Sequence, residues 1–294
     1  MKKLFIGCIA VFSALFGLVG CNSERTTYEG PDYLMFSDTL YRYAVQETGD
    51  VFNVPISATR VADHDRTLAV EVVDSISDAI EGRHYKLLSN TVTIKAGETA
   101  ANLQVQGNYA NIGISDYLSL GLRLVIPKEY QWDMYGIDSK VILQKACPFD
   151  INHFTGYCKV SSTFYQDYMP NVTLRLIKTS VNPDKENSVI LHNLFYDGHD
   201  IVLDFDREDP LEPLVDMEEQ VCATTGEAFG TIHGDGKLMM YQPTMYTSYY
   251  STCEKFVFQY MTLHVKDVGV VGTYANIYEW ISEAEAEKLK EQGY

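Results

Sequence analysis

Apolar and polar residues alternate with a period of two along most of this chain. Leu118, Leu120, Leu122, Leu124 and Ile126 fall on one face of a segment whose other face carries Ser119, Gly121 and Arg123. That is the signature of a strand with one buried side. Comparable runs occupy residues 40–45, 51–57, 67–73, 91–94, 102–106 and 140–144. Pro148 and the polar residues 150–153 then break the rhythm, which puts a module boundary at 145–150. Strand-like runs resume at 156–164, 172–178, 188–195, 200–205, 229–233, 237–241 and 254–265, with an Asp-Gly turn signal at 233–236. The tail changes period. Ser282 and Glu285 form a capping box ahead of lysines and Gly293, so the chain ends in one short helix, expected to dock through Ile281 and Leu289.

Short strands with turn signals at close spacing predict an all-β protein: an N-terminal immunoglobulin-like β-sandwich, then a second antiparallel β-sandwich or barrel, then the helix. The first residues stand apart. Lys2 and Lys3 precede an uncharged stretch from 4 to 20 that ends Leu18-Val19-Gly20-Cys21. This is a secretory signal with a small residue before its cut site, and it is shorter than the roughly 20 residues a membrane-spanning helix needs. Leu-Val-Gly-Cys resembles the lipobox of bacterial lipoproteins. The resemblance implies acylation of Cys21, and two or three chains at about 0.8 kcal/mol per buried CH₂ hold a protein almost irreversibly. Asn22 stands where an aspartate would favour inner-membrane retention, so the expected location is the outer membrane, lipid-anchored, at the cell surface. The domain reading is therefore a signal peptide over 1–20, a polar tether over 21–31, a sandwich over 32–146 and a second β module over 147–294.

Residues 81–105, EGRHYKLLSNTVTIKAGETAANLQV, resemble Calx-beta-like domains and the related N-terminal modules of Bacteroidetes surface lipoproteins. The residues themselves predict a hairpin, with Val92, Ile94, Leu103 and Val105 inward and Gly97 at the turn. His84 stands where calcium-binding relatives carry an aspartate, so no calcium is expected, and Glu81 reads as a solvated turn residue. Phe154-Thr155-Gly156-Tyr157 resembles the opening of lipocalin-like barrels, with Tyr157 in place of tryptophan. The second module as a whole resembles the uncharacterised C-terminal domain of such lipoproteins, which implies no known chemistry.

The formal net charge is −17, and becomes −19 once Lys2 and Lys3 leave with the signal. Such a surface repels phosphate backbones, so nucleic acid is excluded as a partner, and the membrane is met only through the lipid. Besides Cys8 and Cys21 the chain has Cys147, Cys158, Cys222 and Cys253. Export permits disulfides among these four in any of three pairings, and four inert buried thiols are the alternative. Their spacing fits no zinc site, and neither metal nor cofactor is expected.

The chain has 21 tyrosines. Tyr241, Tyr246, Tyr249 and Tyr250 cluster in a Ser/Thr-rich loop ahead of a strand on which Phe256, Phe258, Tyr260, Thr262 and His264 share a face. Exposed tyrosines suit stacking on sugar rings or anchoring a protein; the plainer reading is that they cover a barrel end. The strand itself, apolar on both faces, is expected to be central and covered on both sides. The carboxylates of 204–219 read as a solvated loop, since Pro210 and Pro213 break any calcium register. His192 and His199 have no evident partners. No GxSxG, HExxH, P-loop or dinucleotide motif is present, and no catalytic residue is nominated. The expectation is a non-enzymatic envelope binding protein for glycan or another nutrient, with adhesion or envelope assembly through protein contacts as the alternative.

Overall fold

The computed structural model describes residues 28–294; Cys21 and the leader lie outside the described residues. The first module contains β1 (Leu34–Phe36), β2 (Leu40–Val45), β3 (Val51–Ala58), β4 (Arg66–Val72), β5 (Tyr85–Leu87), β6 (Thr91–Ile94), β7 (Ala100–Gly107), β8 (Leu118–Val125) and β9 (Asp138–Lys145). They form two sheets, ordered β1-β3-β7-β5 and β2-β9-β8-β4-β6, and β2 runs parallel to β9. The alternating apolar positions meet between the sheets: Val54, Ile56, Ile94, Leu103, Val105, Leu120, Leu122, Val141 and Leu143 are all buried. The immunoglobulin-like sandwich read from the periodicity is present.

Two details differ from the sequence reading. Val92, Ile94, Leu103 and Val105 do point inward and Gly97 does take a positive φ of 83°. However, β6 pairs with β4 while β7 pairs with β3 and β5, so the connection arches from one sheet to the other instead of closing a hairpin. Secondly, the outer face of β8 is covered. Residues 73–79 cross it, Ser119 Oγ donates to Asp78 Oδ2 at 2.7 Å, and a Cβ at Gly121 would collide with Ile76. Alternation read one face as solvated because the crossover that shields it lies far away in sequence.

The second module contains β10 (Gly156–Ser162), α1 (Phe164–Tyr168), β11 (Arg175–Val181), β12 (Ser188–His192), β13 (Ile201–Phe205), β14 (Val215–Asp216), β15 (Gln220–Thr224), α2 (Thr225–Phe229), β16 (Lys237–Tyr241), β17 (Tyr249–Ser251), β18 (Phe256–Val265), β19 (Gly269–Ile281) and α3 (Glu283–Glu291). Consecutive strands pair antiparallel from β10 to β14, and β19 returns to β10 from Tyr157↔Ile281 to Ser162↔Asn276. β16 and β17 pair with opposite ends of β18, so they are two halves of one wall position interrupted by residues 242–248. β14 and β15 are likewise halves of one position. Counted this way, ten strands make an eight-position up-and-down barrel.

Closure rests on two seams. At the lower one, Val215 N–H donates to Ser248 O (3.0 Å) and Tyr250 N–H to Pro213 O (2.9 Å). At the upper one backbone pairing has lapsed, and the Gln220 side chain replaces it. Val202 N–H donates to Gln220 Oε1, and Gln220 Nε2 donates to Val202 O, both at 2.9 Å. One amide thus satisfies a donor and an acceptor of a strand edge that would otherwise lie open.

Residues 229–233, read as a strand, instead end α2 and start a turn. Thr224 and Glu227 form a capping box, and Gly230 stops the helix at φ 74°. Local capping outweighed a short β-branched run. The longest strand, β19, was not read from the sequence at all. The terminal helix does carry the Ser282–Glu285 box, but the side chain it buries is Ala286, with Ile281 and Leu289 half-buried.

The interior of the barrel is filled. Phe154, Phe164, Tyr165, Phe195, Tyr278 and Trp280 are buried in it with the aliphatic positions of β18. Cys158 and Cys222 are free and buried, and burial pushes both thiols up, Cys222 to about 12. Cys147 and Cys253 form the disulfide, which ties the inter-module linker to the turn between β17 and β18. Thr252 Oγ1 donates to Cys147 O (3.1 Å), and Tyr109 OH of the sandwich reaches Cys147 Sγ (3.2 Å). A loop of about this length is worth roughly 4–5 kcal/mol in the chain-entropy account.

If Gln220 closes the seam, Gln220→Ala leaves the Val202 N–H and C=O without partners. The expected loss is about 1–3 kcal/mol, a fall in Tm of about 2–4 °C per kcal/mol. Thermal unfolding followed by circular dichroism checks this, and an unchanged midpoint counts against the seam.

Candidate functional site

Five aromatic rings form a continuous ladder on the outer wall of the barrel. On β18, Val257, Gln259, Met261, Leu263 and Val265 point inward, so Phe256, Phe258 and Tyr260 project outward. Tyr249 of β17 lies beside them, stacked on Phe258 at 5.5 Å and edge-on to Phe256 at 6.0 Å. Tyr260 is edge-on to Phe258 at 5.1 Å, and Tyr246 stacks on Tyr260 at 4.7 Å. Tyr246 is 48% exposed and Tyr249 42%.

The 242–248 loop supplies Tyr246, and three hydrogen bonds hold that loop in place. Ser248 Oγ donates to Gln242 Oε1 (2.8 Å) and accepts from Tyr260 N–H (2.9 Å). Gln242 Nε2 in turn donates to Tyr246 O (3.2 Å). The ladder is therefore set on a rigid strand at one side and a pinned loop at the other, an arrangement that limits the ordering entropy of binding.

The four tyrosines nominated from sequence separate. Tyr246 and Tyr249 belong to the ladder. Tyr241 is half-buried and packs edge-on to His264 at 5.6 Å, while His264 Nε2 pairs with Glu219 Oε1 at 2.6 Å. Tyr250 is core: it is 5% exposed, its ring meets Phe154 and Phe205, and its hydroxyl donates to Asp206 O at 3.0 Å. Burial pushes that hydroxyl up to about 12. Adjacent residues of a strand face opposite ways, so Tyr249 and Tyr250 never belonged to one surface. Conversely, Phe256, Phe258 and Tyr260 were legible as one face, but that face was read as covered by core or neighbouring domain.

Other sequence candidates resolve into structural roles. His84 is buried and its Nδ1 accepts from Ile80 N–H at 3.1 Å, so it braces a turn. Of the acidic segment, residues 215–216 and the run up to Gln220 enter the barrel wall, while Asp209 and Glu212 contact Arg42 of the sandwich. His199 pairs with Glu227 at 3.1 Å. Among the described residues no cluster of three or more His, Cys, Asp or Glu is arranged to hold a metal.

His192 has partners that the sequence did not reveal. Its Nδ1 lies 2.9 Å from Asp200 Oδ2 and its Nε2 2.9 Å from Ser180 Oγ. The order serine, histidine, aspartate matches an acyl-transfer relay. Asn182 N–H donates to Ser188 O, so two residues back Ser180 and Ile190 form a hydrogen-bonded pair and the Ser180 amide is committed to the ladder. Asn193 N–H donates to Asp200 Oδ1 at 3.0 Å. The trio braces the 193–200 loop against β11 and β12.

An immunoglobulin-like sandwich followed by a filled, closed barrel with an aromatic outer face defines the class of this chain. The model of the Domain of unknown function (DUF4984) family matches residues 134–292, more than half of the chain, and the chain belongs to that family. The match takes in β9 of the sandwich and runs into the residue after α3. No curated protein matches the chain. Among solved structures, a protein of unknown function from Bacteroides ovatus is similar at 11% identity over 84% of this chain and 89% of that one, with a TM-score of 0.35. An auxiliary nutrient binding protein from Bacteroides thetaiotaomicron is similar at 14% identity over 83% and 91%, with a TM-score of 0.31. The apo-form Calx CBD1 domain covers 40% of this chain and 98% of its own length, at 14% identity and a TM-score of 0.31. Likenesses this distant transfer no ligand.

The separation of the two adjacent tyrosines is open to measurement. Tyr250→Ala removes a buried ring and is expected to cost about 3–5 kcal/mol, whereas Tyr249→Ala stays within about 0.5 kcal/mol. Urea denaturation of both variants gives the two values, and equal losses would place Tyr249 in the core as well.

Proposed function

We propose that this chain is a non-enzymatic binding protein of the bacterial envelope, anchored by a lipid on Cys21, that captures glycan through the outer aromatic ladder. The observation that carries the reading is the continuity of Tyr246, Tyr260, Phe258, Tyr249 and Phe256 on one outward-facing wall, with Tyr246 and Tyr249 exposed and the other three half-buried. Isolated surface aromatics are ordinary, whereas a contiguous apolar stripe edged by hydroxyls marks an interaction surface. Flat rings with phenolic oxygens at their rims match pyranose rings, which offer an apolar face and hydroxyls around it.

The charge balance supports the choice of ligand class. A mature chain at −19, with Lys2 and Lys3 removed from the −17 total, disfavours nucleic acid and anionic membrane and is indifferent to a neutral polysaccharide. The anchor rests on the sequence pattern at residues 2–21 and carries the location with it: outer membrane, facing outward. Among the described residues no helix is long and apolar enough to cross a membrane.

Affinity electrophoresis of residues 22–294 through a panel of neutral polysaccharides tests the proposal. At least one polymer is expected to retard the protein, and Tyr246→Ala with Tyr249→Ala is expected to weaken retention about tenfold or more, as loss of two ring anchors should. Retention by none, or retention that survives both substitutions, overturns the glycan reading. Pull-down of a stoichiometric envelope protein that is lost with the same pair would reassign the ladder to a protein partner, for which exposed Met245 and Ile277 beside it offer further apolar area.

A further inference from the structure

A second site lies between the modules. A cleft of about 430 Å³ opens where the end of β9 and the linker meet the barrel, lined by Gln46, Tyr117, Gln144, Lys145, Arg207 and Ser251 among others, with the Cys147–Cys253 bridge in its wall. Its size is in the range of small-molecule sites, and module junctions are where such sites recur.

The charge of its lining is opposite to that of the protein. Carboxylates outnumber Lys and Arg by 40 to 23 in the chain, yet the cleft is lined by Lys145 and Arg207 and by no Asp or Glu. Neither cation forms an ion pair among the described residues. Lys145 Nζ sits 4.1 Å from the Tyr109 ring centroid, and Arg207 lies 4.6 Å from that of Phe149 with Nη1 donating to Asn187 Oδ1 at 3.2 Å. Of the nearby acids, Asp209 and Glu212 are engaged by Arg42, while Asp206 lies beside Arg207 near Tyr250 and Glu47 lies near the Tyr109 ring. Two rings and one amide hold the cations without pairing either to a carboxylate, and Arg207 stands between this cleft and a neighbouring one that contains Asp184 and Glu186.

The rest of the lining is suited to a hydroxylated ring. Gln46 and Gln144 carry side-chain amides that make no hydrogen bond among the described residues, although Gln144 is only 9% exposed. Each offers two donors and an acceptor. Tyr117, a residue 70% exposed, stands at the cleft and offers a stacking surface.

We propose that the inter-module cleft binds a carboxylated sugar, a hexuronate or a short uronate-bearing oligosaccharide, with Lys145 and Arg207 on the carboxylate, Gln46 and Gln144 on the hydroxyls and Tyr117 against the ring. This site shares no residue with the outer ladder, so the two stand or fall separately. It assigns the junction of this chain a ligand-binding role, with both modules contributing side chains.

Isothermal titration of residues 22–294 with D-glucuronate and D-galacturonate tests it, with glucose, galactose and acetate as controls. Saturable binding of at least one uronate is expected at or below about 1 mM, at least tenfold tighter than the neutral sugar or acetate. Raising salt should weaken it, and Arg207→Gln or Lys145→Gln should each weaken it at least fivefold with Tm unchanged. Should either variant unfold, the Tyr117→Ala variant, altered only at an exposed ring, must show the same loss. No saturable binding of either uronate, equal binding of the neutral sugars, or affinity unaffected by all three substitutions overturns the proposal. Acetate binding as tight as uronate means an adventitious ion only and overturns it too.

Discussion

The side-chain amide of Gln259 sits fully buried inside the barrel, with Tyr278 OH donating to its Oε1 at 2.7 Å and Asn276 Nδ2 at 3.3 Å. Its Nε2 reaches Met217 Sδ at 3.5 Å, and Asn276 Oδ1 accepts in turn from Ser162 Oγ at 2.6 Å. This network links β10, β18, β19 and the segment after β14 at the centre of the module. A buried amide must be satisfied, and meeting that demand fixes the register of the strands around it. Aromatic and aliphatic side chains occupy the remaining volume. With the interior filled in this way, both candidate sites lie outside it, on the outer wall and at the junction with the sandwich.

Closure and anchoring of the barrel follow from few groups. Gln220 completes the upper seam with one amide, and the backbone around Leu214 and Tyr249 completes the lower one. The Cys147–Cys253 bridge fixes the linker against the turn that leads into β18. That turn is adjacent to the ladder and also walls the cleft. One covalent link therefore positions both candidate sites relative to the sandwich, and the exposed Arg42 pairs add little energy of their own.

Much of this architecture was legible in the alternation of residues. The inward face of the strand at 118–126 and the inward set Val92, Ile94, Leu103 and Val105 follow from period-two patterns. What escaped was long-range. The strand β19 places Tyr274, Asn276, Tyr278 and Trp280 inward, but a buried asparagine looks like a solvated residue until Gln259 is seen opposite. Gln220 looks like a polar loop residue until Val202 is beside it. The candidate ladder was half legible. Phe256, Phe258 and Tyr260 shared a face in the sequence, yet whether that face was covered depended on where the sandwich docked, and the pairing of Tyr249 with Phe258 depended on the fold of the 242–248 loop.

The central claim is that the barrel recognises its ligand from outside while its interior stays closed. Hydroxyl-radical footprinting of residues 22–294, alone and with a polysaccharide that retards it, tests this most directly. The account predicts protection at Tyr246, Tyr249 and Tyr260, with Tyr165, Tyr278 and Trp280 equally unreactive in both states. Protection that appears at the interior residues, with the outer ladder unchanged, would contradict it.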